Sequence, residues 1–400
     1  MTLQRAVIVG ASHAGAQLAA SLRQEGWTDE IVLIGEESAL PYQRPPLSKA
    51  YLARKITLDE LAIRSAEFYT KQRIQLLDAT VEAIDRSVGH LSLSTGDAMP
   101  YDKIALCTGA RPRRLPIPGA DLAGVFYLRT AADVEMILAT IRPGARAVLV
   151  GGGYIGLETA ASLRALGLEV TVLEATERVL ERVTAPEVSA FFDRIHREEG
   201  VDIRTGALVE ALSGDGWIRE VHLASGESIP ADLVIVGVGV QPNTELAAAA
   251  GLAVDNGVVI DDQARTSDPD IVAAGDCASH EVARYGCRIR LESVPSAAEQ
   301  AKVAAATVCG KSKKIAALPW FWSDQYDHKL QIAGLNTGYD EVVLSGDPTE
   351  DRDFTCFYLR EGELIAADCV NRPRDFMFSK RVITQQVPIG RAELALAGQA

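Results

Sequence analysis

The sequence predicts an α/β fold with two parallel-sheet domains and a smaller C-terminal domain. Three observations carry this. A strand–glycine turn–helix–strand unit occurs twice, over about residues 6–36 and again over 147–174. Each unit joins its strands by a helical crossover, which requires them to be parallel. From Leu318 onward the pattern becomes short strands punctuated by turns such as Gly346-Asp347-Pro348 and Arg360-Glu361-Gly362-Glu363, which marks a more antiparallel domain.

Bulk properties narrow the class. A chain of 400 residues corresponds to roughly two to four domains at ordinary domain size. Its composition, 48% hydrophobic and 24% charged, is that of a globular protein able to bury several cores without disulfides or a structural metal. The net charge of -14 excludes nucleic acid as the main partner. The six cysteines, at 107, 277, 287, 309, 356 and 369, show no C-x-x-C or metal-ligand spacing. They read as small hydrophobes of a reducing compartment. The N-terminus runs straight into the strand Ala6-Val7-Ile8-Val9 with no secretory pattern, and no apolar run reaches the roughly 18 residues a membrane helix needs. A cytoplasmic protein with no membrane association is expected.

In the first unit, strand 6–9 leads into Gly10-Ala11-Ser12-His13-Ala14-Gly15, then a helix to about Glu25 ended by Gly26, a strand 31–34, and Glu36. In the second, strand 147–150 leads into Gly151-Gly152-Gly153-Tyr154-Ile155-Gly156, then a helix to about Leu166 ended by Gly167, a strand 169–173, and Glu174. The second turn is a complete G-x-G-x-x-G. Gly151 permits the tight turn, Gly153 admits a pyrophosphate, and Gly156 lets helix and strand pack closely. The helix N-terminus supplies free N–H groups to the phosphates. Glu174 stands where a carboxylate accepts ribose hydroxyls and repels a 2′-phosphate. The first turn departs from the pattern at Ser12, the next smallest polar residue, with Glu36 as its ribose acid. His13 lies in this turn with no partner in sequence that would make it catalytic. Two Rossmann-like sites in one chain suit one mobile nicotinamide nucleotide and one resident flavin, which accepts a hydride and releases electrons singly.

Longer stretches are more specific than either turn. They are Leu40-Pro41-Tyr42-Gln43-Arg44-Pro45-Pro46-Leu47-Ser48-Lys49, residues 151–158, residues 178–186, Ala274-Gly275-Asp276-Cys277-Ala278, Glu292-Ser293-Val294-Pro295, and Pro319-Trp320-Phe321-Trp322-Ser323-Asp324-Gln325-Tyr326. On these, almost the whole chain resembles the FAD-dependent NADH:ferredoxin reductases of cytochrome P450 and Rieske oxygenase systems. The resemblance implies a glutathione-reductase-like architecture. An FAD domain spans 1–111 and 242–317, an NADH domain 112–241 is inserted into it, and a C-terminal α/β interface domain spans 318–400. It implies FAD contacts at Gly10, Ser12, His13, Ala14, Gly15, Glu36, Lys49, Val81, Arg129, Asp276, Val294 and Trp322. It implies NADH contacts at Gly151, Gly153, Tyr154, Ile155, Gly156, Glu174 and Gly239. Lys49 would lie by the flavin ring with Glu158 as its carboxylate partner, these two being the candidate catalytic residues. Val294 and Pro295 would open a helix with proline in the first helical position.

The implied reaction is hydride transfer from NADH to FAD, then single-electron transfer to a 2Fe–2S ferredoxin docked at Lys302. The chain would be a monomer or weak dimer that holds no metal. Rubredoxin, a quinone or oxygen as acceptor, or a redox-signalling role with little turnover, are the alternatives. Related disulfide reductases and peroxidases carry cysteines beside the first domain's flavin loop. Here that loop is Pro45-Pro46-Leu47-Ser48-Lys49, and no cysteine precedes Cys107, so thiol chemistry at that place is not expected.

Overall fold

A computed structural model describes residues 3–396, which form two compact units. One unit comprises 3–43, 58–111 and 241–319, and the other comprises 44–57, 112–240 and 320–396.

The first unit is built on a five-stranded parallel sheet. Its order is Ile271–Ala273, Lys103–Leu106, Arg5–Val9, Glu30–Gly35, Ile74–Asp78. The central strand is apolar throughout its buried length, as a strand covered on both faces must be. Helices His13–Glu25 and Val294–Val308 pack together through small residues, Ala14 and Ala297 among them. Gly26 ends the first helix with φ +101°, as its glycine predicts.

The second unit repeats the plan. Its parallel sheet runs Asp202–Arg204, Glu169–Leu173, Arg146–Val150, Leu233–Val236, Val125–Tyr127. The strands that flank the glycine turns occupy equivalent places in the two sheets. This unit also holds a five-stranded antiparallel sheet ordered Trp320–Gln325, His328–Gly334, Glu363–Val370, Phe354–Arg360, Glu341–Ser345. Strand 354–360 is buried almost end to end because both faces are covered. Phe354 meets Phe191 of helix Pro186–Glu198, while Thr355 Oγ1 donates to Asp375 of helix Pro373–Gln385 at 2.8 Å.

Two three-stranded antiparallel sheets, over 81–100 and 209–230, were not foreseen. Their strands are short and only partly buried, so they carry little periodic signal. The segment 44–57, read from the sequence as part of the first domain, is grouped with the second unit. Ser48, Lys49 and Tyr51 supply the reason, through bonds to Glu158, Ser162 and Glu135.

Candidate functional site

The two glycine turns fold alike at each comparable position. Gly10 and Gly151 have φ of +111° and +112°, and each donates its N–H at 2.8 Å to the end of the neighbouring strand, to Ile34 and Leu173 respectively. Such a conformation strains any residue with a β-carbon. A β-carbon on Gly15 would stand 2.0 Å from the Gly10 carbonyl oxygen, and one on Gly156 would stand 2.1 Å from that of Gly151. These glycines are therefore fixed by backbone packing.

The middle position is different. A β-carbon on Gly153 would have no heavy atom of the chain within 4 Å. The turn leaves open space at the N-cap of helix Tyr154–Ala165, whose first turn holds no acidic residue. Ser12 caps helix His13–Glu25, which likewise opens without an acid. Both ends suit phosphate groups by shape and by charge.

In the first unit, further predicted residues converge on the first turn. A β-carbon on Gly275 would sit 3.0 Å from that of Ala14 and 3.8 Å from that of Ala297. The Gly275 N–H donates to buried Gln300 Oε1 at 2.8 Å. Gly275 thus packs beside both helices, and Asp276 is the next residue along the chain. That helix opens at Val294 with Ser293 as N-cap, so Pro295 is its second residue, one later than the sequence reading placed it. Proline is still tolerated, because the first-turn N–H groups have no partners inside the helix. Glu36 follows its strand, exposed and without a hydrogen bond among the described residues. Val81 is buried at the head of strand Val81–Asp85.

In the second unit, Glu174 is already engaged. Its Oε2 accepts the Gly152 N–H at 2.7 Å, and its Oε1 accepts the Thr176 N–H and Oγ1, each at 2.9 Å. One lone pair on Oε2 remains for a ribose hydroxyl. Arg178 is consumed by Thr184, Ser189 and the Glu181 carbonyl. The Tyr154 ring packs on Phe321 at 4.9 Å, and its hydroxyl is buried without a hydrogen-bond partner among the described residues. Burial, with Asp368 and Glu158 nearby, pushes that hydroxyl's pKa up. Ile155 is exposed, Gly239 has φ +96° with the Arg113 and Arg182 side chains beside it, and Trp322 lies half-buried 5.7 Å from the Trp320 ring. Arg129 precedes helix Ala131–Thr140, donates its N–H to Asp133 and accepts from Arg44 through its carbonyl.

The second unit also brings the two candidate catalytic residues together. Lys49 Nζ lies 2.7 Å from Glu158 Oε2, with side-chain exposures of 17% and 3%. Ser48 Oγ donates to the same oxygen at 2.6 Å, and Ser323 Oγ donates to Oε1 at 2.6 Å. A buried carboxylate is tolerable only when paired and hydrogen-bonded in this way. Neither serine was singled out in the sequence. Each sits inside a recognised stretch, but nothing local shows that Ser48 and Ser323, far apart in sequence, share one carboxylate.

All six cysteines are free. Cys107, Cys277, Cys356 and Cys369 are buried, and burial pushes these four thiols, and that of half-buried Cys309, above their ordinary range. Thiolates are thus disfavoured at five positions. Among the described residues no cluster of potential ligands could hold a metal ion, and no helix is long and apolar enough to cross a membrane.

The chain belongs to the pyridine nucleotide-disulphide oxidoreductase family, which matches residues 4–301, and a reductase C-terminal domain matches 320–398. It is an FAD-dependent oxidoreductase that uses NAD(H), and the two glycine turns fit that pair of dinucleotides. In particular, it is 47% identical to putidaredoxin reductase of Pseudomonas putida over 390 residues, covering 96% of this chain and 92% of that one. It is 45% identical to a ferredoxin–NAD(P)(+) reductase of a Sphingomonas species, covering 94% and 92%. The crystal structure of a covalent putidaredoxin reductase–putidaredoxin complex matches with TM-score 0.95 and 46% identity, over 98% of this chain and 95% of that one.

Proposed function

We propose that this protein oxidises NADH and passes single electrons to a 2Fe–2S ferredoxin that serves a cytochrome P450 or Rieske oxygenase in the cytoplasm. One observation carries the reading. The chain has two dinucleotide turns but no thiol placed to take electrons, so the electrons must leave for an external acceptor. The relatives' names supply the class of acceptor. In this reading residues 1–111 and 242–317 hold FAD through Gly10–Gly15, Glu36 and Asp276, and 112–241 hold NADH through Gly151–Gly156 and Glu174. FAD, when bound, takes up a hydride and gives up electrons one at a time. The residues contribute position and charge. The turns hold the pyrophosphates, Glu36 and Glu174 hold riboses, and Lys49 presents a cation held in place by Glu158, which favours an electron-rich partner. We read residues 318–400 as an interface domain and the chain as a monomer or weak dimer. NADH-dependent cytochrome c reduction, measured with and without added ferredoxin, tests the reading. Equal rates with and without ferredoxin would exclude it.

The docking site follows from free charge. Lys311 and Lys313 both pair with Glu25, and Lys314 pairs with Asp262. Lys302, on helix Val294–Val308, is exposed and has no ion pair among the described residues. We assign ferredoxin docking to Lys302 rather than to the 311–314 group. Complementary charge chiefly raises the encounter rate and is screened by salt. Rising ionic strength is expected to slow ferredoxin reduction while NADH–ferricyanide turnover changes little. Lys302→Glu should raise the apparent KM for ferredoxin without altering flavin reduction. An unchanged KM at low salt would move the docking site elsewhere.

NADH should be preferred over NADPH by about tenfold or more, since a 2′-phosphate beside Glu174 costs at least about 1.4 kcal/mol. Arg178 is bonded only to neutral oxygens and keeps its charge, so with Arg182 it softens that repulsion, and the discrimination is not an absolute block. Glu174→Ala should shrink the ratio of kcat/KM values. It should also lower kcat/KM for NADH itself, because the Gly152 and Thr176 N–H groups lose their acceptor. A natural protein that prefers NADPH contradicts the assignment.

Replacing all six cysteines by serine or alanine should leave NADH–ferricyanide activity in whatever folded, FAD-loaded protein is obtained. Some loss of stability is expected from the buried positions. Complete loss of turnover with FAD still bound would restore a thiol mechanism.

A further inference from the structure

The Lys49–Glu158 pair is the inner end of a longer buried chain. Ser323 Oγ, which donates to Glu158 Oε1 at 2.6 Å, accepts from Gln325 Nε2 at 3.2 Å. Gln325 Oε1 lies 2.9 Å from His196 Nε2, and His196 Nδ1 lies 3.0 Å from the Tyr326 hydroxyl. Ser323, Gln325 and His196 are fully buried, and Tyr326 is half-buried at the outer end.

Donor and acceptor rules orient the chain in one direction. A carboxylate paired with an ammonium only accepts, so Ser323 donates to it and must accept from Gln325 through the NH2 group. The Gln325 carbonyl then faces His196, so Nε2 carries the proton. Nδ1 is left as an acceptor, which Tyr326 satisfies as donor. Of the two neutral tautomers, only this one satisfies all five groups, and the remaining assignment, an imidazolium donating from both nitrogens, would put an unpaired charge in a fully buried place. Burial pushes the His196 pKa down to about 4, in keeping with the neutral ring this demands.

The chain's outer end breaks a local rule. Tyr326 and Asp327 are the two-residue connection between strands Trp320–Gln325 and His328–Gly334, and Tyr326 has φ +55°. A left-handed tyrosine is strained where glycine or asparagine is favoured. What it gains is the hydroxyl contact to His196 and ring packing on the imidazole at 5.0 Å between centroids. A primary amide in the middle is a poor proton carrier, so the chain transmits orientation, not protons.

We propose that His196 and Gln325 are positioning residues for the Lys49–Glu158 pair, with His196 locked as the neutral Nε2–H tautomer so that Glu158 presents one fixed oxygen to Lys49. This rests on the reading of Lys49 and Glu158 as working residues of the reductase.

The test uses the FAD-loaded full chain. With 15N-labelled histidine, one ring should show a protonated Nε2 and a bare Nδ1 at pH 7, and this signal should vanish in His196→Gln. An Nδ1–H tautomer or an imidazolium at His196 overturns the proposal, and this measurement needs no destabilised variant. In single-turnover flavin reduction by NADH, His196→Phe and Gln325→Leu should lower the limiting rate by about tenfold, as loss of a supporting contact behind a working residue does. Their NADH dissociation constants should stay within about twofold, since NADH is held elsewhere. His196→Gln, which keeps an N–H donor at the Nε2 position, should recover most of the rate. Natural rates in folded His196→Phe and Gln325→Leu, alongside a slow Lys49→Met protein, overturn the positioning role alone. A Lys49→Met protein that reduces its flavin at the natural rate overturns both the positioning role and the assignment of Lys49.

Discussion

Lys49→Met is expected to destabilise the second unit by about 3 kcal/mol, the lower end of what breaking a buried ion pair costs. The cost comes from what stays behind. Glu158 is 3% exposed and would keep its charge with only two serine hydroxyls for company. Lys49 itself is 17% exposed, so part of its own desolvation is already relieved by solvent, which keeps the expected loss at the low end. Glu158→Gln removes the charge yet keeps an oxygen to accept one serine, and its cost should be nearer 1 kcal/mol, the worth of an ordinary buried hydrogen bond. The double replacement Lys49→Met with Glu158→Leu should cost clearly less than the sum of its two single changes, because the orphaned charge is gone. Thermal unfolding at one pH of the natural protein, the single variants Lys49→Met, Glu158→Gln and Glu158→Leu, and the double variant decides this. Additive losses would mean that Lys49 and Glu158 do not form the pair described.

The parts of the fold that were legible are those whose geometry is set locally. Gly10 and Gly15, like Gly151 and Gly156, sit where backbone approaches backbone, so the requirement for glycine is written at the position that needs it. The crossover between flanking strands then follows from chain connectivity. The same logic marked Gly26 as a helix end. What stayed hidden depends on partners distant in sequence. Nothing in Pro45-Pro46-Leu47-Ser48-Lys49 says that its neighbours are Glu158 and Ser162, more than a hundred positions away, and so nothing revealed that 44–57 belongs with the second unit. The charge cluster at 302–314 was legible as composition only. That Lys311, Lys313 and Lys314 are paired while Lys302 is free depends on Glu25 and Asp262 lying beside them in the folded unit.

The two candidate ribose acids were equivalent in sequence and are not in structure. Glu36 is exposed with no hydrogen bond among the described residues, whereas Glu174 ties its own glycine turn to the strand end through Gly152. A substitution at Glu36 should therefore affect nucleotide binding with little effect on the fold, while one at Glu174 touches both.

The same separation of fold from binding can be made within the second glycine turn, where the expected effects are largest. Gly156→Ala puts a β-carbon 2.1 Å from the Gly151 carbonyl oxygen and 3.3 Å from its carbon. Both are backbone atoms, so no side chain can swing aside, and helix Tyr154–Ala165 must move off its strand. Overpacking of this kind costs about 3 kcal/mol or more. Gly153→Val meets nothing, because its β-carbon points into open space and its φ of -80° suits any residue. Its stability cost should be about 1 kcal/mol or less, that of a poorer N-cap. Its cost to binding should be large, because two methyl groups would occupy the space in front of the helix N-terminus where a pyrophosphate must approach. A rise in the NADH dissociation constant of about tenfold or more is expected, equivalent to at least about 1.4 kcal/mol. Gly153→Ser should behave far more like the natural protein, since Ser12 occupies the matching position of the first turn. Thermal unfolding and NADH titration of the three variants, with FAD content as a control, separate the roles. If Gly153→Val binds NADH as tightly as the natural protein, the pyrophosphate does not lie against this turn. If Gly156→Ala unfolds at the natural temperature, then close packing of helix on turn is not what fixes that glycine.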